Sequence, residues 1–256
     1  MKNLIFIFAL ILPLSSFASI SIVSDLDDTI KITNSGDTVD GAINAALKSD
    51  VFTGMTEFFF GTQDYTSDLH ILSASPRVLK LKIQSTLKKR QIQYKSLILR
   101  NLSQNQTKFD YKVAALKTLL DKSADDFIFI GDDVGQDPEA YAKIQELYPN
   151  RVLAIYIHVV NNRPDAAGTK YWTTFDLFLR EFEAGRMRQA WVEKGFGLVQ
   201  HETNLEKILP DFAHCPTTLS PWSWQESSFF APESMLIALK LVAYCQARSS
   251  GILILQ

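Results

Sequence analysis

The chain predicts an α/β fold: a doubly wound parallel sheet with helices on both faces. Two observations carry that reading. Between Ile20 and Ile157, short and nearly continuous apolar runs recur, as strands buried on both faces require. Between them lie longer segments whose apolar residues return at helical spacing, so strand and helix alternate. Ligands of such sheets bind beyond the carboxyl ends of the strands.

The first strand is Ile20 to Asp25, and Leu69 to Ser73, Ser96 to Leu99, Phe127 to Gly131 and Val152 to Ile157 follow. Pro76 to Arg90, Asp110 to Leu120 and Pro138 to Tyr148 are the intervening helices. Ser75-Pro76 and Asp137-Pro138 each read as a cap residue followed by proline at the first helical position. Farther on, Thr173 to Met187 is helical, with Phe175, Phe178, Leu179 and Phe182 as an apolar stripe on the core. Trp222 and Trp224 lie in a proline-rich stretch, either as a lip near the site or packed on the domain. The helix Glu233 to Ala247 follows, and the apolar close GILILQ is a strand or a frayed end.

A composition of 46% hydrophobic and 21% charged residues is that of a globular protein with a substantial core. The formal net charge is -2 and the longest basic run is Lys88-Lys89-Arg90, so no nucleic-acid partner is expected. Lys2, the apolar stretch Leu4 to Leu14 and the small-x-small site Ser16-Phe17-Ala18 have the layout of a secretory signal peptide. Residues 1–18 are therefore expected to be removed after export, giving a periplasmic or secreted protein; the apolar run is short for a membrane span. Cys215 and Cys245 then permit one disulfide, the alternative being two buried thiols.

The strand ends hold the chemistry. After the first strand, Asp25 and Asp27 share a face while Asp28 points away. After the second comes Ser73, beside the expected helix start at Ser75-Pro76, a place suited to phosphate. After the fourth come Asp132, Asp133 and Asp137, and Lys112 supplies a fixed cation. Taken singly, each is an ordinary cap, turn or surface residue. Together they put several carboxylates at one point, and like charges so close call for a cation among them. A hard-ligand set of that kind suits Mg²⁺.

SDLDDT, ILSASP, Tyr111-Lys112 and FIGDDVGQDPEAY, in that order, resemble the four motifs of the haloacid dehalogenase superfamily. With the run FIFIGDDVGQDPEAYAKIQELYPNRVLAIYIHVV, the stretch from Ile20 to Val160 is similar to the catalytic domain of actin-patch-protein-type phosphatidate phosphatases. The resemblance implies a Rossmann-like core with a minimal cap between Asp27 and Ser73; with no repeats or low-complexity linkers beyond it, the chain reads as that core over residues 19–187 and a mainly helical extension, 188–256, packed on it. The resemblance also implies phosphoryl transfer with Asp25 as nucleophile and Asp27 as general acid and base. Mg²⁺ would be held by Asp25, Asp27 (through its backbone carbonyl) and Asp132, and the phosphate by Ser73 and Lys112. Thr29, Asp133 and Asp137 would support them.

The implied substrate is phosphatidate or a related lipid phosphate, with transient membrane-surface contact. Soluble phosphomonoesters are the alternative, and a non-catalytic binding protein a third reading. Departures from the family pattern are Asp133 for a small residue, Tyr111 for a histidine, Arg77 after Ser-x-Pro, and His158 for an arginine. Asp133 is expected to add to metal binding or to take over from Asp137, Arg77 to be solvated, and His158 to be structural. Of Phe58, Phe59 and Phe60, two are expected in the core and the third in a loop contact.

Overall fold

The computed structural model describes residues 19–34, 49–219 and 229–251. The expected leader 1–18, the two-tryptophan loop and the terminus past Gly251 lie outside the described residues. Strands β1 (Ile20–Ser24), β2 (Asp68–Pro76), β3 (Ser96–Arg100), β4 (Asp126–Asp132), β5 (Val152–His158) and β6 (Thr169–Tyr171) form one six-stranded sheet. Every pairing is parallel and the order is β3-β2-β1-β4-β5-β6. The winding therefore reverses between β1 and β4, and the crevice beyond their carboxyl ends is where such sheets bind ligands.

The apolar runs are continuous because both sheet faces are covered. Ile22, Ile71, Ile128, Ile130 and Tyr156 enter one core cluster, while their neighbours Val23, Leu72, Phe127, Phe129, Ile155 and Ile157 enter the other. That is the two-residue period of strands read from two sides. Helices α3 (Lys108–Lys122) and α4 (Asp137–Leu147) cover the second face. Helices α1 (Met55–Thr62), α2 (Lys80–Lys89), α5 (Thr174–Glu183), α6 (Gln189–His201) and α7 (Ala231–Ser249) contribute to the first. Val192, Val199, Ile237, Ala238 and Leu241 join that core, so the C-terminal helices pack on the sheet domain. Phe58 and Phe59 are buried and Phe60 is half-buried.

Three local expectations are corrected. Ser75 does not cap a helix: β2 continues through Pro76, whose φ of -61° and ψ of 142° are extended, and a 3-10 turn (Arg77–Leu79) precedes α2. Pro76 still aligns with Arg100 of β3. Asp137 is likewise not the cap of α4 but its first residue, after Gln136. The helix expected to reach Met187 stops at Glu183, where Gly185 adopts a φ of 72° and turns the chain into α6. Cys215 and Cys245 form a disulfide with Cα atoms 5.3 Å apart, tying the loop around Ala213 to α7.

Candidate active site

β1 delivers Asp25 to the crevice. Its N–H donates to the Ile130 carbonyl of β4 at 2.8 Å, which continues the ladder one residue past the strand. The chain then turns: Asp28 has a φ of 58°, and its carboxylate accepts from Thr33 N–H (2.9 Å), Thr33 Oγ1 (2.8 Å) and Asn34 N–H (2.8 Å). Asp28 thus braces the loop and leaves the pocket to Asp25 and Asp27, as the alternation predicts.

From the neighbouring strand, Asp132 is fixed by three donors. Val134 N–H (2.7 Å) and Gly135 N–H (3.1 Å) bind its Oδ1, and Thr29 Oγ1 (3.3 Å) binds Oδ2. Asp137, in the first turn of α4, accepts from Asp132 N–H at 3.4 Å. Gly131 permits that approach, since a Cβ there would come within 2.6 Å of the Asp137 carboxylate. Lys112, near the start of α3, donates to Asp25 Oδ1 at 2.9 Å and to Asp137 Oδ1. No described residue hydrogen-bonds the Asp25 Oδ2 oxygen.

Asp27 has a separate cradle. Its Oδ2 accepts from Ser75 Oγ at 2.7 Å and Ser73 Oγ at 3.3 Å, and its Oδ1 lies 3.9 Å from Lys31 Nζ. Ser73 Oγ also accepts the Ser75 N–H at 3.0 Å, and Tyr111 Oη donates to the Ser73 carbonyl at 3.2 Å. Neither Lys31 nor Ser75 is among the residues the motifs single out. Lys31 is fully buried, and the signal for it is a lysine set between Ile30 and Ile32, four residues after Asp27.

Burial governs the charges. It raises Asp25 to about 8, with Lys112 opposing the rise and Asp137 and Asp27 adding to it. Burial likewise raises Asp27, against Lys31 and the Ser75 hydroxyl, and raises Asp132 well above the ordinary carboxylate range. Burial disfavours the Lys112 ammonium, but Asp137, Asp25 and Asp132 outweigh it and hold the proton more tightly than usual. The pocket is short of positive charge for its acids.

That shortage fits a metal. Asp25, Asp132 and Asp137 are all buried, and each offers an oxygen within 4.8 Å of the others'. An all-carboxylate, buried donor set suits a hard divalent cation. Among carboxylates, Asp137 joins Asp25 and Asp132, while the Asp27 carboxylate stands outside on its serines, leaving Asp27 the backbone carbonyl by which it was expected to contribute. Asp133 has a different place. Its carboxylate accepts from Val160 N–H (2.7 Å), Asn161 N–H (2.6 Å) and Arg163 N–H (2.9 Å), so it braces the loop after β5. It neither joins the acid cluster nor replaces Asp137.

His158 is structural, as expected: Nδ1 lies 2.7 Å from the Asp28 carbonyl, and the ring packs between Tyr171 (5.0 Å) and Phe52 (4.6 Å). Arg77 is exposed.

Residues 20–159 match the family described as phosphatidate phosphatase APP1, catalytic domain. The uncharacterized protein C29B5.04c of Schizosaccharomyces pombe is 26% identical over 204 residues, which cover 66% of this chain and 33% of that protein. The chain thus spans about a third of that relative's length. Two solved structures of the Pnkp1/Rnl/Hen1 RNA repair complex share 17% and 15% identity, with TM-scores of 0.40 and 0.35. They cover 55% and 60% of this chain, and the matches span 46% and 42% of theirs. The family match takes in β1 through β5 and every residue of the acid cluster: the chain belongs to the family of phosphatidate phosphatase APP1 catalytic domains.

Proposed function

We propose that this protein is an exported, Mg²⁺-dependent phosphomonoesterase acting on phosphatidate or a related lipid phosphate through an aspartyl-phosphate on Asp25. The observation that carries the proposal is the division of labour between two aspartates two positions apart. Asp25 has its Oδ1 on Lys112 and no described residue hydrogen-bonded to its Oδ2, while Asp27 is buried, and burial raises its carboxyl against the opposing pull of Lys31 and the Ser75 and Ser73 hydroxyls, as suits a proton donor.

In the first step Asp25 Oδ2 attacks phosphorus and the bond to the leaving oxygen breaks. Asp27 gives that oxygen its proton. In the second step Asp27 takes a proton from water, which attacks phosphorus, breaks the bond to Asp25 and releases phosphate. Lys112 meets a non-bridging oxygen while keeping Asp25 in place, and the Ser73 hydroxyl is within reach of another. Asp137 orients Lys112, and Thr29 orients Asp132. Asp25, Asp132 and Asp137 would hold Mg²⁺, which supplies charge neutralisation between nucleophile and phosphate. The leader-like residues 1–18 support export, and the disulfide suits an oxidising compartment.

The test is phosphate release by the protein beginning at Ser19, with Mg²⁺, from phosphatidate in mixed micelles and from a panel of soluble phosphomonoesters. Release chiefly from phosphatidate is expected, abolished in Asp25→Asn. Release chiefly from the soluble panel would overturn the lipid assignment, and turnover surviving in Asp25→Asn would overturn the nucleophile.

A further inference from the structure

From Pro76 to Arg90 the chain carries Arg77, Lys80, Lys82, Lys88, Lys89 and Arg90 and no acidic residue, in a protein whose formal net charge is -2. Within the same stretch Val78 is 88% exposed and Leu81 is 81% exposed. Both stand on the turn leading into α2 and on its first turn, immediately beyond the end of β2 that presents Ser73 and Ser75 to Asp27. Arg77, Lys80 and Lys82 are exposed beside them, and no described residue forms an ion pair with any of the three. Leu102, 50% exposed, follows the adjacent strand β3 at the same end of the sheet.

This rim belongs to the mouth of the site. The charge of Arg77 reaches Tyr111, whose hydroxyl holds the Ser73 carbonyl, and that of Lys82 reaches Lys31 beside Asp27. Apolar tips held in water among cations that pair with no described residue have the chemistry of a surface that meets a bilayer. The aliphatic side chains enter the acyl boundary and the cations meet anionic headgroups. A nucleic acid would use the cations but leave Val78 and Leu81 in water.

We propose that the segment Arg77–Lys82, extended by Leu102, docks the protein on anionic lipid surfaces with the acid cluster facing the headgroups. The proposal rests on the lipid-phosphate reading of the site, and it adds where and by which residues the protein meets its substrate's membrane.

The test is co-sedimentation with vesicles of phosphatidylcholine, alone or mixed with phosphatidylglycerol, neither containing phosphatidate. The wild-type protein is expected to bind the anionic vesicles at least about tenfold more tightly than the neutral ones, less so as salt rises. The double variant Val78→Asp/Leu81→Asp is expected to lose about tenfold or more of that binding, as is Lys80→Glu/Lys82→Glu. Turnover of phosphatidate in vesicles should fall in parallel, while in Val78→Asp/Leu81→Asp turnover of monomeric dihexanoyl phosphatidate and the thermal melt stay at wild-type values. Wild-type vesicle binding by Val78→Asp/Leu81→Asp would overturn the proposal. So would binding to a single-stranded oligonucleotide, without vesicle binding, that only the lysine variant loses. Vesicle binding with no phosphate released from phosphatidate would overturn the proposed activity and leave the docking surface standing; release without binding would do the reverse.

Discussion

Asp25 and Asp27 are two residues apart in one loop, yet their neighbours differ in kind: a lysine and two further acids for one, two serines and a more distant lysine for the other. Chemistry follows from those neighbours. Lys31 Nζ lies 3.9 Å from Asp27 Oδ1 and is fully buried, where charges interact more strongly than in water, and on the proposed mechanism it positions the general acid. Lys31→Met is therefore predicted to lower kcat by about tenfold or more with a smaller change in KM, a split read by steady-state kinetics. An unchanged kcat would remove Lys31 from the site. Asp25, Asp27, Ser73, Lys112 and Asp132 could be singled out in the sequence because each sits at or just past a strand end or near the start of a helix. Lys31 and Ser75 were not, for different reasons. A lysine between isoleucines does not say which acid it faces. Ser-Pro serves equally at a helix start and at a strand end, because proline's φ suits both.

At the scale of elements, the cap of α5 shows how burial makes a local hydrogen bond depend on pH. The Asp176 carboxylate accepts from Trp172 N–H at 2.8 Å and Thr173 N–H at 2.9 Å, fastening α5 to the end of β6. Burial nevertheless raises it from 3.8 to about 6, with those N–H groups opposing the rise. A carboxyl raised in the folded state contributes stability that is fully present below its unfolded value and is lost as pH rises through its folded value. Asp176 should thus contribute up to roughly 3 kcal/mol near pH 4 that is gone above about pH 6. Asp176→Asn keeps an acceptor for both N–H groups and removes the titration. Denaturant unfolding at pH 4 and pH 7 should show the variant gaining on the wild type as pH rises, and an unchanged gap would contradict the assignment. The long strands were legible because burial on both faces leaves unbroken apolar runs. β6 was not, since three residues carry no period, and α6 escaped notice because its two glycines and its polar residues dilute the apolar stripe.

For the molecule as a whole, the sheet order turns a list of motifs into a site. Because the winding reverses between β1 and β4, residues more than a hundred positions apart meet, as Thr29 and Asp132 do. Strand alternation predicts the parallel sheet but not the order of its strands, which only long-range packing decides. The C-terminal helices were read as an extension on the core, but which face they cover is set by side chains such as Val192, Ile237 and Leu241, whose partners are remote in sequence. The disulfide lies outside the acid cluster and closes a loop with a sequence separation of 30. Its replacement by Cys215→Ser/Cys245→Ser is predicted to lower stability by about 3–4 kcal/mol, through the entropy returned to the unfolded chain. Phosphatase activity under native conditions should persist. Thermal melts with and without reductant check the first statement, and inactivity of a folded double variant would contradict the second.

The central claim is that phosphate passes through Asp25. The measurement that tests it most directly is acid quenching of Asp27→Asn, mixed with radiolabelled phosphatidate and Mg²⁺, followed by mapping of the labelled peptide. The leaving-group step is slowed in that variant and the hydrolytic step more so, because no base remains to activate water. Label is predicted to accumulate on the peptide containing Asp25 and to be absent when Asp25→Asn is added. Label on another residue, or turnover by the wild-type protein with none trapped on Asp25 in the variant, would contradict the account.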